Sequence, residues 1–259
     1  MALSEQQGDD IEDILKKSLR RKFQDYKPEL AVMPFHTRLL GKDRLALYSF
    51  IHSLNTNFGT AIFEPVAEVI ARTYFSVVKL HTTAGEYITE NTRFEIQKII
   101  DGLITASSQP DKLKETEIIR KVCQSGVRRK IKCTVVDLYL ESKTGEKYLF
   151  DIKTAKPNAG GFKEFKTTLL EWVGVTLESE PKAKVNTLIA IPYNPYEPQP
   201  YNRWTIRGIL DLQYELKVGE EFWDFLGGEG TYKDLLGCFE RVGVDLRDEI
   251  DQYFARFNK

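Results

Sequence analysis

Residues 131–142 (IKCTVVDLYLES) and 146–154 (EKYLFDIKT) are two runs rich in β-branched and aromatic side chains. Lys143, Thr144, Gly145 and Glu146 between them suit a tight turn. The pattern predicts a β-hairpin with Asp137 in its first strand and Asp151 and Lys153 at the end of its second. Side chains alternate along a strand, so residues 151 and 153 share one face and Ile152 takes the other. The returning strand can bring Asp151 beside Asp137, although fourteen positions separate them in the chain.

Helical periodicity surrounds this hairpin. Residues 11–26 place Ile11, Ile14, Leu15, Leu19 and Phe23 on one face. Further helices are predicted over 44–57, ending near Gly59, and over 65–75, with Pro65 in the first turn. Others follow over 92–105, 112–124 and about 162–178. Residues 184–193 (KVNTLIAIPY) are almost continuously apolar, as a buried strand should be. The proline-rich stretch 193–204 (YNPYEPQPYNRW) reads as a long extended loop. Helices over 220–227 and 232–243 follow, the second ending at Gly243. No repeat or composition break forces a boundary. The expectation is one mixed α/β domain with a core over about 59–193, a helical N-terminal part over 1–58 and a C-terminal helical part over 204–259.

Of the 259 residues, 42% are hydrophobic and 29% charged, which describes a globular chain able to bury a core. No apolar run approaches the ~18 residues of a membrane span, and the N-terminus has no secretory pattern, so a cytoplasmic location is expected. Cys123, Cys133 and Cys238 are unclustered and argue against a disulfide framework or structural zinc. His36, His52 and His81 lie in different segments, against chemistries that need several histidines to converge. Net charge is −1, but eight Lys/Arg face three acids over 111–133, whereas six face twelve from 211 to the end. Such asymmetry can give a neutral protein a local positive field, or simply a solvated helix face.

Two carboxylates side by side are hard oxygen ligands for Mg2+, which normally keeps several waters. A lysine next to one of those waters could orient it or help to deprotonate it. Metal-assisted phosphodiester hydrolysis needs these parts. The acid-x-Lys tripeptide alone is weak, since it occurs six times, at Asp25, Glu141, Asp151, Glu164, Glu180 and Glu215. Only Asp151-Ile152-Lys153 ends an apolar β run paired to another strand carrying an acid. By spacing alone, a hairpin with solvated charges on its outer face is an equal reading.

With these residues the chain resembles type II restriction endonucleases of the PD-(D/E)xK superfamily. Asp137 stands at the first acid, with Val136 where the motif has proline, and Asp151 and Lys153 stand at the second acid and the lysine. The run DIKTAKPN, the helix with FKEFKTTLLEW, the strand TLIAIPYNPYEP and the ending EFWDFLGGEGTYKDLLGCFERVG resemble a subgroup that cuts sites of the GGNCC type, over roughly 55–255. The resemblance implies a restriction-endonuclease-like α/β core, a mixed sheet flanked by helices. It also implies site-specific cleavage of both strands of duplex DNA, with 5′-phosphate ends, by a homodimer in the cytoplasm. The metal position falls to Asp137, Asp151 and Ile152. A further acid on a helix before the core sheet is implied, for which Glu64 is chosen over Glu68. A companion DNA methyltransferase belongs to such a system, without implied contact.

For DNA, three stretches offer cations and hydrogen-bonding groups. They supply Arg128 and Arg129; Lys156, Asn158, Lys163 and Lys166; and Asn194 and Arg203. The competing readings are a solvated turn around Arg128 and a self-packed loop over 193–204; phosphate contact is the favoured reading for Arg128 and Arg129. Phe222, Trp223, Phe225, Phe239 and Phe254 could supply a dimer interface or ordinary core. Competing functions are a repair or junction-resolving nuclease on the same core, and a non-catalytic DNA-binding module.

Overall fold

The computed structural model describes residues 2–27, 33–153, 161–202 and 208–256. Helix α1 (Glu5–Asp25) starts at Ser4, whose hydroxyl accepts the Gln7 N–H while the Gln7 side chain accepts the Ser4 N–H. Helices α2 (Pro34–Leu40) and α3 (Lys42–Phe58) follow. Helix α3 ends beside Gly59, as its pattern predicts, but the backbone does not leave the helical path there. The chain runs through a π turn (Gly59–Phe63) into α4 (Glu64–Ala71). Pro65 cannot continue an ordinary helical ladder, and the wider turn carries the chain past it with a Glu64 N–H to Gly59 carbonyl bond. Helix α4 ends at Ala71, four residues short of the predicted end, because the chain turns there into a strand.

The remaining elements, in order, are β1 (Val77–Thr82), β2 (Tyr87–Thr89), α5 (Glu90–Ile104), α6 (Lys112–Val122), β3 (Arg128–Lys130), β4 (Val136–Glu141), β5 (Lys147–Ile152), α7 (Phe162–Ser179), β6 (Val185–Ile191), β7 (Leu216–Val218), α8 (Glu220–Gly227), α9 (Thr231–Asp245) and α10 (Arg247–Ala255). The predicted hairpin is β4–β5, closed where Gly145, at φ +81°, donates to the Ser142 carbonyl at 2.9 Å. Its first strand begins at Val136 rather than at residue 131, and 131–135 lie outside any strand. The expected extended loop after β6 is folded into turns at 195–198. Helix α9 runs past Gly243 to Asp245.

One sheet has the order β1-β4-β5-β6-β7, with β1/β4 and β4/β5 antiparallel and β5/β6 and β6/β7 parallel. Strands β2 and β3 form a separate antiparallel pair. The parallel β5/β6 neighbours are joined through α7, as a crossover requires. Helices cover both faces of the large sheet. On one, Leu138, Leu140, Phe150 and Ile152 pack with α1, α4, α8 and α9 residues such as Ile11, Val66, Phe222 and Leu235. On the other, Leu149, Val185 and Ile189 pack with α5, α6 and α7 residues such as Ile96, Ile119 and Val173. Phe222 and Trp223 are fully buried, Phe225 and Phe239 pack on the same core, and Phe254 meets the edge of Phe50. This is the mixed sheet flanked by helices, with helical N- and C-terminal parts, consistent with a restriction-endonuclease-like fold.

Candidate active site

The β4/β5 ladder ends at Leu138↔Phe150, and the next opposed positions are Asp137 and Asp151. Here a side chain replaces the ladder, because Asp137 Oδ2 accepts the backbone N–H of Ile152 at 2.8 Å. Asp151 stays in register with Ile189 of β6, and the Lys153 N–H extends that ladder to the Ala190 carbonyl at 2.9 Å. Ile152 points into the core, whereas Asp151 and Lys153 share the opposite face, as alternation requires. Lys153 Nζ lies 2.5 Å from Asp151 Oδ1 and 5.2 Å from the centre of the Phe165 ring.

These acids are not solvated charges on an outer face: Asp151 is 5% exposed. Burial, opposed by Lys153, pushes its carboxyl up to about 6. Asp137 is also raised, first by burial and further by the charge of Glu64, against the Ile152 N–H that it accepts. Glu64, at the start of α4, is 3% exposed, and burial raises its carboxyl too. His81 Nε2 stands 2.9 Å from Glu64 Oε2, yet the contact is not a hydrogen bond, and Oε2 is buried without a hydrogen-bond partner. Glu68, the other helix acid considered, instead pairs with Arg72 at 2.8 Å.

Asp151 and Lys153 form one wall of a cleft of about 630 Å³ whose other side is α7, with Lys163, Glu164, Phe165, Thr167 and Thr168. Lys163 is exposed at this cleft. Lys166 corrects an expectation. It is completely buried, with Nζ 2.5 Å from Glu115 and 2.6 Å from Glu215, and Lys112 lies 3.0 Å from Glu215. A side chain so enclosed cannot meet a phosphate. It faces inward because residues 166, 169, 170 and 173 lie on one side of α7, and the other three are core. Arg128 is paired to Glu178 and lies over the Tyr87 ring, and Arg129 is paired to Glu90. The Asn194 amide holds its own loop through the Gln199 carbonyl and the Tyr196 N–H. Lys156, Asn158 and Arg203 lie outside the described residues.

Sequence alone does not single out His81, Phe165 or Thr134, the last of which also lines this cleft. The Phe165 ring beside Lys153 had no local signal, and His81 could not be placed without β1.

The family model described as "Type II restriction endonuclease, HinfI" matches residues 3–243. Two curated enzymes of Herpetosiphon aurantiacus, the type II restriction enzymes HgiCII and HgiEI, are each 26% identical over 245 residues. The alignments cover 89% and 90% of this chain and 87% of each of those enzymes. The type II restriction enzyme MjaII of Methanocaldococcus jannaschii is 26% identical over 222 residues, covering 80% of this chain and 58% of that enzyme. No helix among the described residues is long and apolar enough to cross a membrane. With the family match spanning nearly the whole chain, this protein belongs to the HinfI family of type II restriction endonucleases and is a site-specific DNA-cleaving enzyme.

Proposed function

We propose that the chain hydrolyses both strands of duplex DNA at a short palindromic site in a Mg2+-dependent reaction that leaves 5′-phosphates. Asp137, Asp151 and Lys153 form the catalytic centre, with Glu64 beside them. The observation that carries this reading is a set of acids drawn together at the edge of the core, Glu64 and Asp151 buried and Asp137 half-buried. Asp137 and Asp151 are both raised by burial, and Glu64 Oε2 has no hydrogen bond. Buried carboxylates so placed fit a divalent cation. Among the described residues no group of three His, Cys, Asp or Glu is spaced to hold a metal. The ligands we assign are therefore two carboxylates, Asp137 and Asp151, and the Ile152 carbonyl, which suits an ion that retains water.

When bound, the ion supplies Lewis-acid stabilisation of the charge that develops at phosphorus. Lys153, held between Asp151 and Phe165, is placed to orient the attacking water and to assist removal of its proton. Lys163 at the cleft takes a backbone phosphate. Arg128 and Arg129 do so only by giving up Glu178 and Glu90. The resemblance favours a target of the GGNCC type, and a companion methyltransferase in the cytoplasm protects the same site.

The described residues of one chain hold one such centre, so cutting both strands at one encounter calls for a homodimer. The C-terminal aromatics are engaged in their own core and do not supply its face. The exposed apolar side chains Phe35, Leu39, Tyr48 and Ile51 of α2 and α3 are better suited. Sedimentation equilibrium is expected to show a dimer that Leu39→Glu with Tyr48→Glu converts to a folded monomer; a dimer unaffected by both changes rejects this face.

The function is tested by incubating the protein with a sequenced plasmid, with Mg2+ or with EDTA. Discrete fragments only with Mg2+ are expected, and sequencing their ends gives the site and stagger. Preferential cutting of junctions or damaged duplexes would favour the repair reading. A folded protein that cuts no DNA with any divalent metal would favour a binding module.

A further inference from the structure

The β1/β4 ladder skips one position. Leu80 pairs with Leu138 and Thr82 with Val136, so His81 stands opposite Asp137 without pairing to it. The His81 backbone is in the left-handed region, φ +49°, which residues other than glycine adopt uncommonly, histidine more often than most. Such conformations persist where the surroundings enforce them, and they cluster at active sites. The ring, half exposed, places Nε2 2.9 Å from Glu64 Oε2. That oxygen is the one buried side-chain N or O among the described residues that lacks a hydrogen bond. Two independent features, an interrupted ladder and an unsatisfied carboxylate, meet at this histidine.

We propose that His81 is a positioning residue for DNA cleavage, donating Nε2–H to Glu64 Oε2 and fixing that carboxylate against the Asp137–Asp151 pair. At 2.9 Å the two atoms are already at hydrogen-bonding separation. Catalytic hydrogen bonds are often misaligned in a free enzyme and tighten when substrate is bound. The proton sits on Nε2 in this arrangement, leaving Nδ1 to solvent or DNA. The left-handed backbone lets residue 81 leave the ladder at this point. The proposal rests on the reading of Glu64, Asp137 and Asp151 as the active site.

The test compares His81→Gly, Glu64→Gln, the double variant and Asp151→Asn on a duplex carrying the mapped plasmid site, in single-turnover cleavage. Glycine accepts the backbone conformation, so His81→Gly should melt no lower than the parent. It is expected to cut roughly 10- to 100-fold more slowly, as loss of a supporting partner does, with duplex affinity in EDTA unchanged. The double variant should cut no more slowly than Glu64→Gln, because both changes disable one unit. A merely structural role would not produce that non-additivity. Cleavage by His81→Gly within about twofold of the parent, or fully multiplicative losses in the double variant, would overturn the proposal. If His81→Gly does not fold, His81→Asn, which also tolerates this backbone, carries the same test. Full cleavage by folded Asp151→Asn rejects the active-site reading itself. An inactive Asp151→Asn beside a fully active His81→Gly rejects only the role of His81.

Discussion

Asp151→Asn is expected to slow cleavage by about a thousandfold or more, the equivalent of about 4 kcal/mol of lost charge stabilisation, while leaving the protein folded and able to bind DNA. The same change should make the metal-free protein more stable above pH 6. An unfolded aspartate titrates near 3.9, whereas burial pushes the folded carboxyl of Asp151 up to about 6. Between these two values the folded protein holds a proton that the unfolded chain has released. Stability of the parent in EDTA therefore falls as pH rises from about 4 to about 6, by up to about 3 kcal/mol, and stays lower above. Asparagine has no charge to bury, so this loss should be largely absent. Urea unfolding at pH 5 and pH 8 in EDTA, alongside plasmid cleavage, measures both effects. Wild-type cutting by the folded variant would remove Asp151 from the mechanism, and an unchanged pH slope would remove it from the titration. Asp137→Asn should behave alike, since burial raises Asp137 too.

Lys166→Met should destabilise the protein by about 3–5 kcal/mol, because buried Glu115 loses its lysine and buried Glu215 keeps only Lys112. Lys166, Lys112, Glu115 and Glu215 form a closed set, each nine-tenths or more buried. Burial alone would raise Glu215, but Lys112 and Lys166 hold it below the usual carboxylate range. The set ties α6 and α7 to the segment that leads into β7, and Lys112 also donates to Thr187 of β6 at 2.6 Å. Lys163→Met, one turn away and exposed, is the contrast: stability within about 0.5 kcal/mol of the parent, with weaker, less salt-dependent DNA binding. Urea midpoints and duplex titrations at two salt concentrations separate the pair. Equal stability with weakened DNA binding in Lys166→Met would return this lysine to the DNA surface.

The hairpin was legible because alternation and a glycine turn are local patterns, and they sufficed to bring residues 137 and 151 together. Strand β1 was not legible. Residues 77–82 pair with 136–141, and nothing within six residues announces a partner so distant. His81 was invisible for that reason: three scattered histidines looked inert until the sheet placed one of them opposite Asp137. Strand β7, with three residues, is too short to leave a pattern. Lys166 was legible but misjudged. Its spacing of three, four and seven from Leu169, Leu170 and Val173 marks the apolar side of a helix. Glu64 was reached only through the family resemblance, since a glutamate ahead of a proline at a helix start is ordinary.

The π turn at Gly59–Phe63 amounts to one residue more than a regular helix would use over the same path. Each residue advances a helix by about 100°, so this surplus sets the rotational phase of everything after it. With that phase, Val66, Ala67 and Ile70 reach the core while Glu64 reaches His81. A helix shortened by one residue here would keep its length and hydrophobicity almost unchanged, yet it would aim its acid elsewhere. The chain thus encodes the direction of a carboxylate as a count of residues, and a relative that lacks the surplus must supply its acid from a different position.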